Sequence, residues 1–199
     1  MGTRAKKGSK FERETCRRLS LWWSKGEHDD LFWRSSNSGG RATVRGRQGK
    51  RTQGQAGDIA ATCPTAEPLL RAFTLELKKG YATTTIHDVL DKHPTFAHQD
   101  FDKWVIQARE SADTAGSLSW WLITNRDRRL PLLWMPNEAW RWHLDISVGR
   151  IERHFSSICQ VKTKVKGDKV ISNYVGLPFE EYLQNTTPHT IKRILINNE

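Results

Sequence analysis

The chain has 199 residues, of which 37% are hydrophobic and 27% charged, with a formal net charge of +10 and three cysteines. That composition suits one soluble globular domain with a real core, and no apolar run approaches the ~20 residues needed to cross a bilayer. Cys16, Cys63 and Cys159 are odd in number and far apart, which fits neither a disulfide framework nor a zinc cluster. The basic N-terminus has no apolar stretch behind it, so no secretory signal is visible and a reducing cytoplasm is the expected setting.

The charge is unevenly spread. Residues 1–55 carry 14 Lys/Arg against 5 Asp/Glu, whereas residues 56–199 carry 18 against 17. An excess confined to the first quarter points to a polyanionic partner. A basic tail that only aids solubility is the competing reading. Structured-looking sequence on both sides of the basic stretch weighs against it.

Residues 8–25 read as a helix, with Ser9 and Glu12 placed as a capping box. Glu12, Cys16, Leu19 and Trp23 fall on one stripe of that helix. A carboxylate on an apolar stripe needs a partner, and a metal or a cation would serve. Residues 31–34 predict a short strand. Residues 35–55 (SSNSGGRATVRGRQGKRTQGQ) form a long glycine-rich loop whose Arg41, Arg45, Arg47, Lys50 and Arg51 suit phosphate.

Residues 58–62 read as a strand opening on Asp58, and residues 63–68 as a hairpin connection. Residues 72–78 alternate: Phe73, Leu75 and Leu77 point one way, Thr74, Glu76 and Lys78 the other. Glu76 and Lys78 therefore leave one face of a strand, about 7 Å apart along it. Residues 81–100 hold His87, Asp88, Asp91, His93, His98 and Asp100 without a tight ligand motif, and read as a polar insertion rather than a second metal site.

Residues 101–112 predict a helix on which Lys103 and Gln107 share a face. Residues 119–124 and 130–135 read as strands joined by the charged turn 125–129, and residues 137–142 as a short helix. Residues 158–165 and 169–175 read as a hairpin turning at Gly167 and Asp168. A short helix begun by Pro178 follows, and residues 191–196 form a helix or a strand. With no internal repeat and no linker, one domain spanning 1–199 is expected, with a core at about 8–135 and a C-terminal extension at 136–199. The tryptophans in predicted elements, Trp22, Trp23, Trp120 and Trp121 among them, are expected to pack the core.

Asp58, Glu76, Lys78 and Glu12 together supply three carboxylates and an ammonium. Mg²⁺ is commonly held by one or two carboxylates plus phosphate oxygens and waters. Asp58 and Glu76 suit that role, the Leu77 carbonyl can add a ligand, and Glu12 can complete the shell directly or through water. Lys78, on the face of Glu76, can polarise an attacking water and offset developing negative charge. Each motif alone is common: an isolated Glu-x-Lys on a strand is usually a solvated pair. Their order is more informative than any one of them.

That order resembles the PD-(D/E)xK nuclease superfamily, and within it archaeal-type Holliday junction resolvases and related phage enzymes. The resemblance covers roughly residues 8–135. KGSKFERE is similar to the opening helix with its glutamate at Glu12, GDIAA to the aspartate motif, and LELKKG to the Glu-x-Lys strand. Gly57 stands where the motif has proline. Arg34 followed by SSNSGG is similar to the resolvases' arginine and Ser-Gly loop, which makes Ser38 a phosphate or catalytic contact, and Gln107 matches a glutamine on the following helix. Lys79 and Lys103 extend the cationic set expected to meet nucleic acid. The resemblance implies a restriction-endonuclease-like α/β core with a mixed central sheet flanked by helices, to which the C-terminal hairpin and helix are added. It also implies Mg²⁺ or Mn²⁺ dependence, duplex or branched DNA as substrate, frequent homodimers, and a phage, plasmid or restriction context, hence a host cytoplasm for a phage enzyme. No small-molecule cofactor and no membrane partner are expected. The function read from the chain is a metal-dependent DNA endonuclease with a structure preference. The alternative is a non-catalytic nucleic-acid-binding protein on the same fold.

Overall fold

The computed structural model describes residues 3–35, 56–81, 84–85, 87–90, 100–147, 155–164 and 171–199. Helix α1, Thr3–Trp23, starts earlier than the capping pattern implies. Ala, Lys and Arg are good helix formers and carry the first turns without an apolar face. Ser9 is therefore inside the helix rather than at its cap. Phe11, Thr15, Cys16, Leu19 and Trp23 are buried along α1. The helix closes in a Schellman arrangement. Lys25 has φ 56°, and the Gly26 N–H donates to the Leu21 carbonyl at 2.7 Å.

Strands β1 (Phe32–Arg34) and β2 (Ile59–Ala61) pair antiparallel in a small sheet, with Arg34 opposite Ile59. Ser20 ties this sheet to α1 by accepting the Phe32 N–H at 3.0 Å. The segment read as a hairpin connection is instead a 3₁₀ turn, Pro64–Ala66, running into helix α2, Glu67–Ala72. A proline in the first turn of each piece is compatible with helix, because those N–H groups lack partners anyway.

Among the described residues the main sheet has five strands. These are β3 (Phe73–Lys79), β4 (Ser119–Asn125), β5 (Leu132–Pro136), β6 (Cys159–Thr163) and β7 (Ser172–Pro178), in the spatial order β3-β4-β5-β7-β6. Only β3 and β4 are parallel; the other pairs are antiparallel. A parallel pair needs a crossover. Helix α4, Asp100–Ala115, supplies it, after a short helix α3, His87–Leu90. Helix α5, Asn137–Ser147, is longer than the sequence suggests. Pro178 ends β7 and caps α6, Phe179–Asn185, from outside it, and α7 is Pro188–Asn198. Residues 191–196 are thus helical, while the expected turn at Gly167 and Asp168 lies outside the described residues.

Helices cover both sides of the sheet. On one side Phe73, Leu75, Leu77, Trp121, Ile123, Leu133 and Val175 join buried residues of α1, α2, α5, α6 and α7. On the other, Trp120, Leu122, Trp134 and Tyr174 pack on Phe101, Trp104, Val105 and Ala108 of α4. Gly176 makes one of these contacts feasible, because a Cβ there would lie 2.5 Å from the Trp134 ring. The hairpin β6–β7 belongs to the same sheet, and α6 and α7 complete the first of the two cores. Trp23, Trp104, Trp120, Trp121, Trp134 and Trp140 are buried, as expected of a tryptophan-rich core, while Trp33 is exposed. No helix among the described residues is long and apolar enough to cross a membrane.

Candidate active site

Strand β3 forms one edge of the main sheet, and Asp58 is docked on that edge. Its N–H donates to the Leu75 carbonyl at 2.8 Å, and its carboxylate Oδ2 accepts the Leu77 N–H at 2.8 Å. Within a strand, the N–H and C=O of one residue point to the same side. The Leu77 carbonyl therefore faces the edge occupied by Asp58. Ser35 holds the approach: its Oγ donates to the Gly57 carbonyl at 2.7 Å, and its N–H donates to the Asp58 carbonyl at 2.9 Å.

The alternation of β3 places Glu76 and Lys78 on the α4 side, as its sequence implies. Glu76 is only 2% exposed, yet three donors surround it. Ser111 Oγ donates to Oε1 at 2.7 Å; Gln107 Nε2 and Lys78 Nζ donate to Oε2 at 2.8 and 3.3 Å. Lys78 Nζ also donates to Gln107 Oε1 at 2.8 Å. Gln107 thus bridges the acid and the base, which fixes both side chains. Ser111, one helical turn beyond Gln107, is a site residue that the sequence reading missed. The four-residue spacing that linked Lys103 to Gln107 reaches it with one further step.

The carboxyl of Asp58 is pushed up from 3.8 to about 7. Burial is the main cause and the nearby Glu76 charge the second. Lys78 and the Leu77 N–H oppose the rise, and Glu12 adds slightly to it. Two carboxylates thus meet in a place with little water, the arrangement a cation relieves. The Cys16 thiol lies close by and is pushed up to about 12, first by burial and then by the Glu12 charge, so it stays an inert thiol.

Glu12 stands at the margin of this group. It is ion-paired to Arg34, whose Nη1 donates to Ser9 Oγ at 3.0 Å. The partner that a carboxylate on the α1 stripe requires is therefore an arginine. Lys79 points to the opposite sheet face from Lys78. Its ammonium lies 5.6 Å from the Phe11 ring centroid and contacts Asn125 and Asp127. Lys103 is exposed and 3.6 Å from Asp100. Ser38, Arg41, Arg45, Arg47, Lys50 and Arg51 lie outside the described residues, as do Asp91, His93 and His98 of the polar insertion.

Among the described residues no group of three His, Cys, Asp or Glu side chains gathers to hold a metal. The donor set is narrower: two carboxylates, Asp58 and Glu76, with the Leu77 carbonyl aimed at the same edge. Hard oxygen donors of this kind fit Mg²⁺, which needs only one or two carboxylates from the protein. Zinc, with its preference for nitrogen and sulfur ligands, is a poorer fit.

Residues 3–193 match the family model described as "Phage putative PDDEXK endonuclease". The chain belongs to this family. No curated protein and no solved structure matches it. Membership supports nuclease function in general terms, and the mixed five-stranded sheet flanked by helices is consistent with a restriction-endonuclease-like fold. In this PDDEXK chain the residue before the aspartate is Gly57, with φ 78°. Proline is locked near φ −65°, so the backbone takes a path here that proline cannot follow. A Cβ on Gly57 would meet the Leu75 carbonyl oxygen and Thr74 Cγ2 at 2.7 Å. The glycine lets the loop lie directly against β3, and that contact delivers Asp58 to the Leu77 amide.

Proposed function

We propose that the chain is a metal-dependent DNA endonuclease that hydrolyses phosphodiester bonds at the Asp58–Glu76–Lys78 cluster. The observation that carries this reading is the cluster's geometry: a buried carboxylate pair at a sheet edge, with an ammonium 3.3 Å from one member. Mg²⁺ or Mn²⁺ would be held by Asp58, Glu76 and the Leu77 carbonyl, with Glu12 joining through water. When bound, such an ion lowers the pKa of a coordinated water and neutralises charge on the phosphoryl oxygens.

The remaining work falls to the chain's own groups. Lys78 orients the attacking water and faces the negative charge that develops on the phosphate. Gln107 and Glu76 hold Lys78 in place and leave it one proton to donate, since an ammonium has three. Ser111 fixes the Glu76 carboxylate against rotation. Arg34, Ser38, Arg41, Arg45, Arg47, Lys50 and Arg51, with Lys79 and Lys103, bind the DNA backbone. Binding is therefore steeply salt-dependent and carries little sequence information by itself.

Preference for branched DNA and assembly as a homodimer are further parts of the proposal. The first rests on the resemblance of the Arg34 segment and its Ser-Gly loop to junction resolvases, the second on the resemblance to the superfamily as a whole. The test is to offer the purified protein four-way junction, flap, duplex and single-stranded DNA with Mg²⁺, Mn²⁺ or EDTA. Cleavage in either metal and none in EDTA is expected, with the junction cut fastest. Tight, salt-sensitive binding with no strand cut under any condition would favour the non-catalytic alternative.

A further inference from the structure

A hollow of about 340 Å³ opens on the α4 side of the sheet, at the C-terminal ends of β3 and β4. It shares a wall with the candidate active site, because Lys78 lines it. Its size is at the low end of pockets that take small ligands, about 300–1,000 Å³, and is far too small for a duplex. Four aromatic rings line it. Tyr81, 40% exposed, stands at the mouth and meets Trp104 edge-on, with centroids 4.7 Å apart. Phe101 and Trp134 pack edge-on deeper in, at 5.1 Å.

Its charge is one-sided. Lys78, Arg126 and Arg129 line the hollow, and among the described residues no carboxylate does. Polar groups are also present at its edge. The Thr124 hydroxyl accepts the Trp134 indole N–H at 3.1 Å and keeps its own proton for a ligand, while the Thr84 hydroxyl donates to Asp100 and the Asn125 amide is held by Lys79 and the Arg129 carbonyl. Aromatic faces, cations and a few hydrogen-bonding groups form the combination that holds a flat heterocycle attached to a phosphate. A saturated apolar ligand would have no use for the three cations. A free anion would have no use for the rings.

We propose that this hollow receives a single unstacked base of the DNA strand whose backbone lies at Lys78. This inference rests on the nuclease reading above and narrows its substrate: the preferred DNA is one in which a nucleotide next to the cut site is unpaired or readily extruded. Pulling a base from an intact duplex costs stacking and pairing energy, whereas an unpaired base has already lost it. The hollow thereby favours branch points, bulges and flaps over regular duplex.

The test uses full-length protein in EDTA, so that binding is read without cleavage. Fluorescence anisotropy compares three labelled duplexes: fully paired, with one bulged thymidine, and with an abasic nucleotide in the bulge. The bulged thymidine is expected to bind on the order of tenfold more tightly than paired duplex, from base–aromatic stacking, and the abasic bulge no better than paired duplex. Tyr81→Ala should abolish the ratio between bulged and paired affinities, and Tyr81→Phe should keep it. Equal affinity for all three duplexes would overturn the proposal. So would an abasic bulge bound as tightly as the thymidine bulge, or an unchanged ratio in Tyr81→Ala. Because the ratio is measured without metal, a protein that never cuts DNA can still pass this test, and one that cuts can still fail it.

Discussion

The charge on Asp58 is held where water cannot solvate it well, 8% exposed and beside a second carboxylate. Folding alone does not favour such a placement. Asp58→Asn keeps an oxygen for the Leu77 N–H while removing the repulsion with Glu76. We predict that in EDTA at pH 8 this variant is more stable than the parent by about 1 kcal/mol or more, a Tm rise of ~2–4 °C at this chain length. Added Mg²⁺ should raise the Tm of the parent and leave that of Asp58→Asn nearly unmoved. A parent whose Tm ignores Mg²⁺ would argue that no ion binds between the carboxylates. The residue identities of this cluster were legible in the sequence, because a strand's two-residue period forces Glu76 and Lys78 to one face whatever the fold. The docking of Asp58 on the Leu77 amide was not legible, since it is a tertiary hydrogen bond across 19 positions.

At the scale of elements, two segments hold the cluster in place. The loop before β2 approaches β3 closely only because Gly57 has no side chain and accepts φ 78°. We predict that Gly57→Ala, and more so Gly57→Pro, displaces Asp58 and lowers cleavage by at least 100-fold while DNA affinity changes little. Parent-like cleavage by Gly57→Pro would show that the site tolerates another loop path. Helix α4 acts from the other side through Gln107 and Ser111. Groups that support metal ligands typically alter metal affinity by ~10–100-fold when lost. Ser111→Ala is therefore expected to raise the Mg²⁺ concentration for half-maximal cleavage about tenfold, with the rate at saturating Mg²⁺ largely kept. An unshifted Mg²⁺ titration would remove Ser111 from the site. Helix α4 and its Gln107 face were readable from periodicity. Helix α2 was not: six residues with Pro68 in the first turn carry too short a pattern to stand out from a turn. The early start of α1 was illegible for a related reason, because its first turns are formed by propensity without an apolar stripe.

Over the whole molecule, the last strand and two helices close the core that the first helix opens. Tyr182, Ile191 and Ile194 pack with Leu19, Phe73 and Trp121. This long-range closure was invisible in sequence, where the C-terminal hairpin read as an addition rather than as part of the central sheet. The closure contains a buried pair: His143 Nδ1–H donates to the Ala139 carbonyl at 2.8 Å, and Nε2 accepts the Tyr182 hydroxyl proton at 2.6 Å. Burial pushes His143 down to about 4, opposed by the Ala139 bond. With a folded pKa below the unfolded value of 6.5, the unfolded chain binds the extra proton between pH 6.5 and 4. Stability from neutral His143 is thus full above about pH 6.5 and is lost as pH falls toward 4, by on the order of 2–3 kcal/mol. Asp58, whose raised pKa adds stability over the same window as pH falls, opposes this loss in the parent. Urea unfolding of Asp58→Asn from pH 7.5 to 4 should therefore show the His143 decline, and adding His143→Gln should flatten it. An equally steep profile in the double variant would place the acid sensitivity elsewhere.

In the proposed mechanism one pocket, assembled from a loop, a strand and a helix, cuts DNA with the side chains of Asp58, Glu76 and Lys78. Its most direct measurement is Mg²⁺-dependent cleavage by Asp58→Ala, Glu76→Ala and Lys78→Ala, each compared with the parent at matched DNA occupancy. No detectable cleavage is expected from the two carboxylate variants and at least a ~100-fold loss from Lys78→Ala, with DNA binding largely intact in all three. Parent-like cleavage by Asp58→Ala or Glu76→Ala would contradict it.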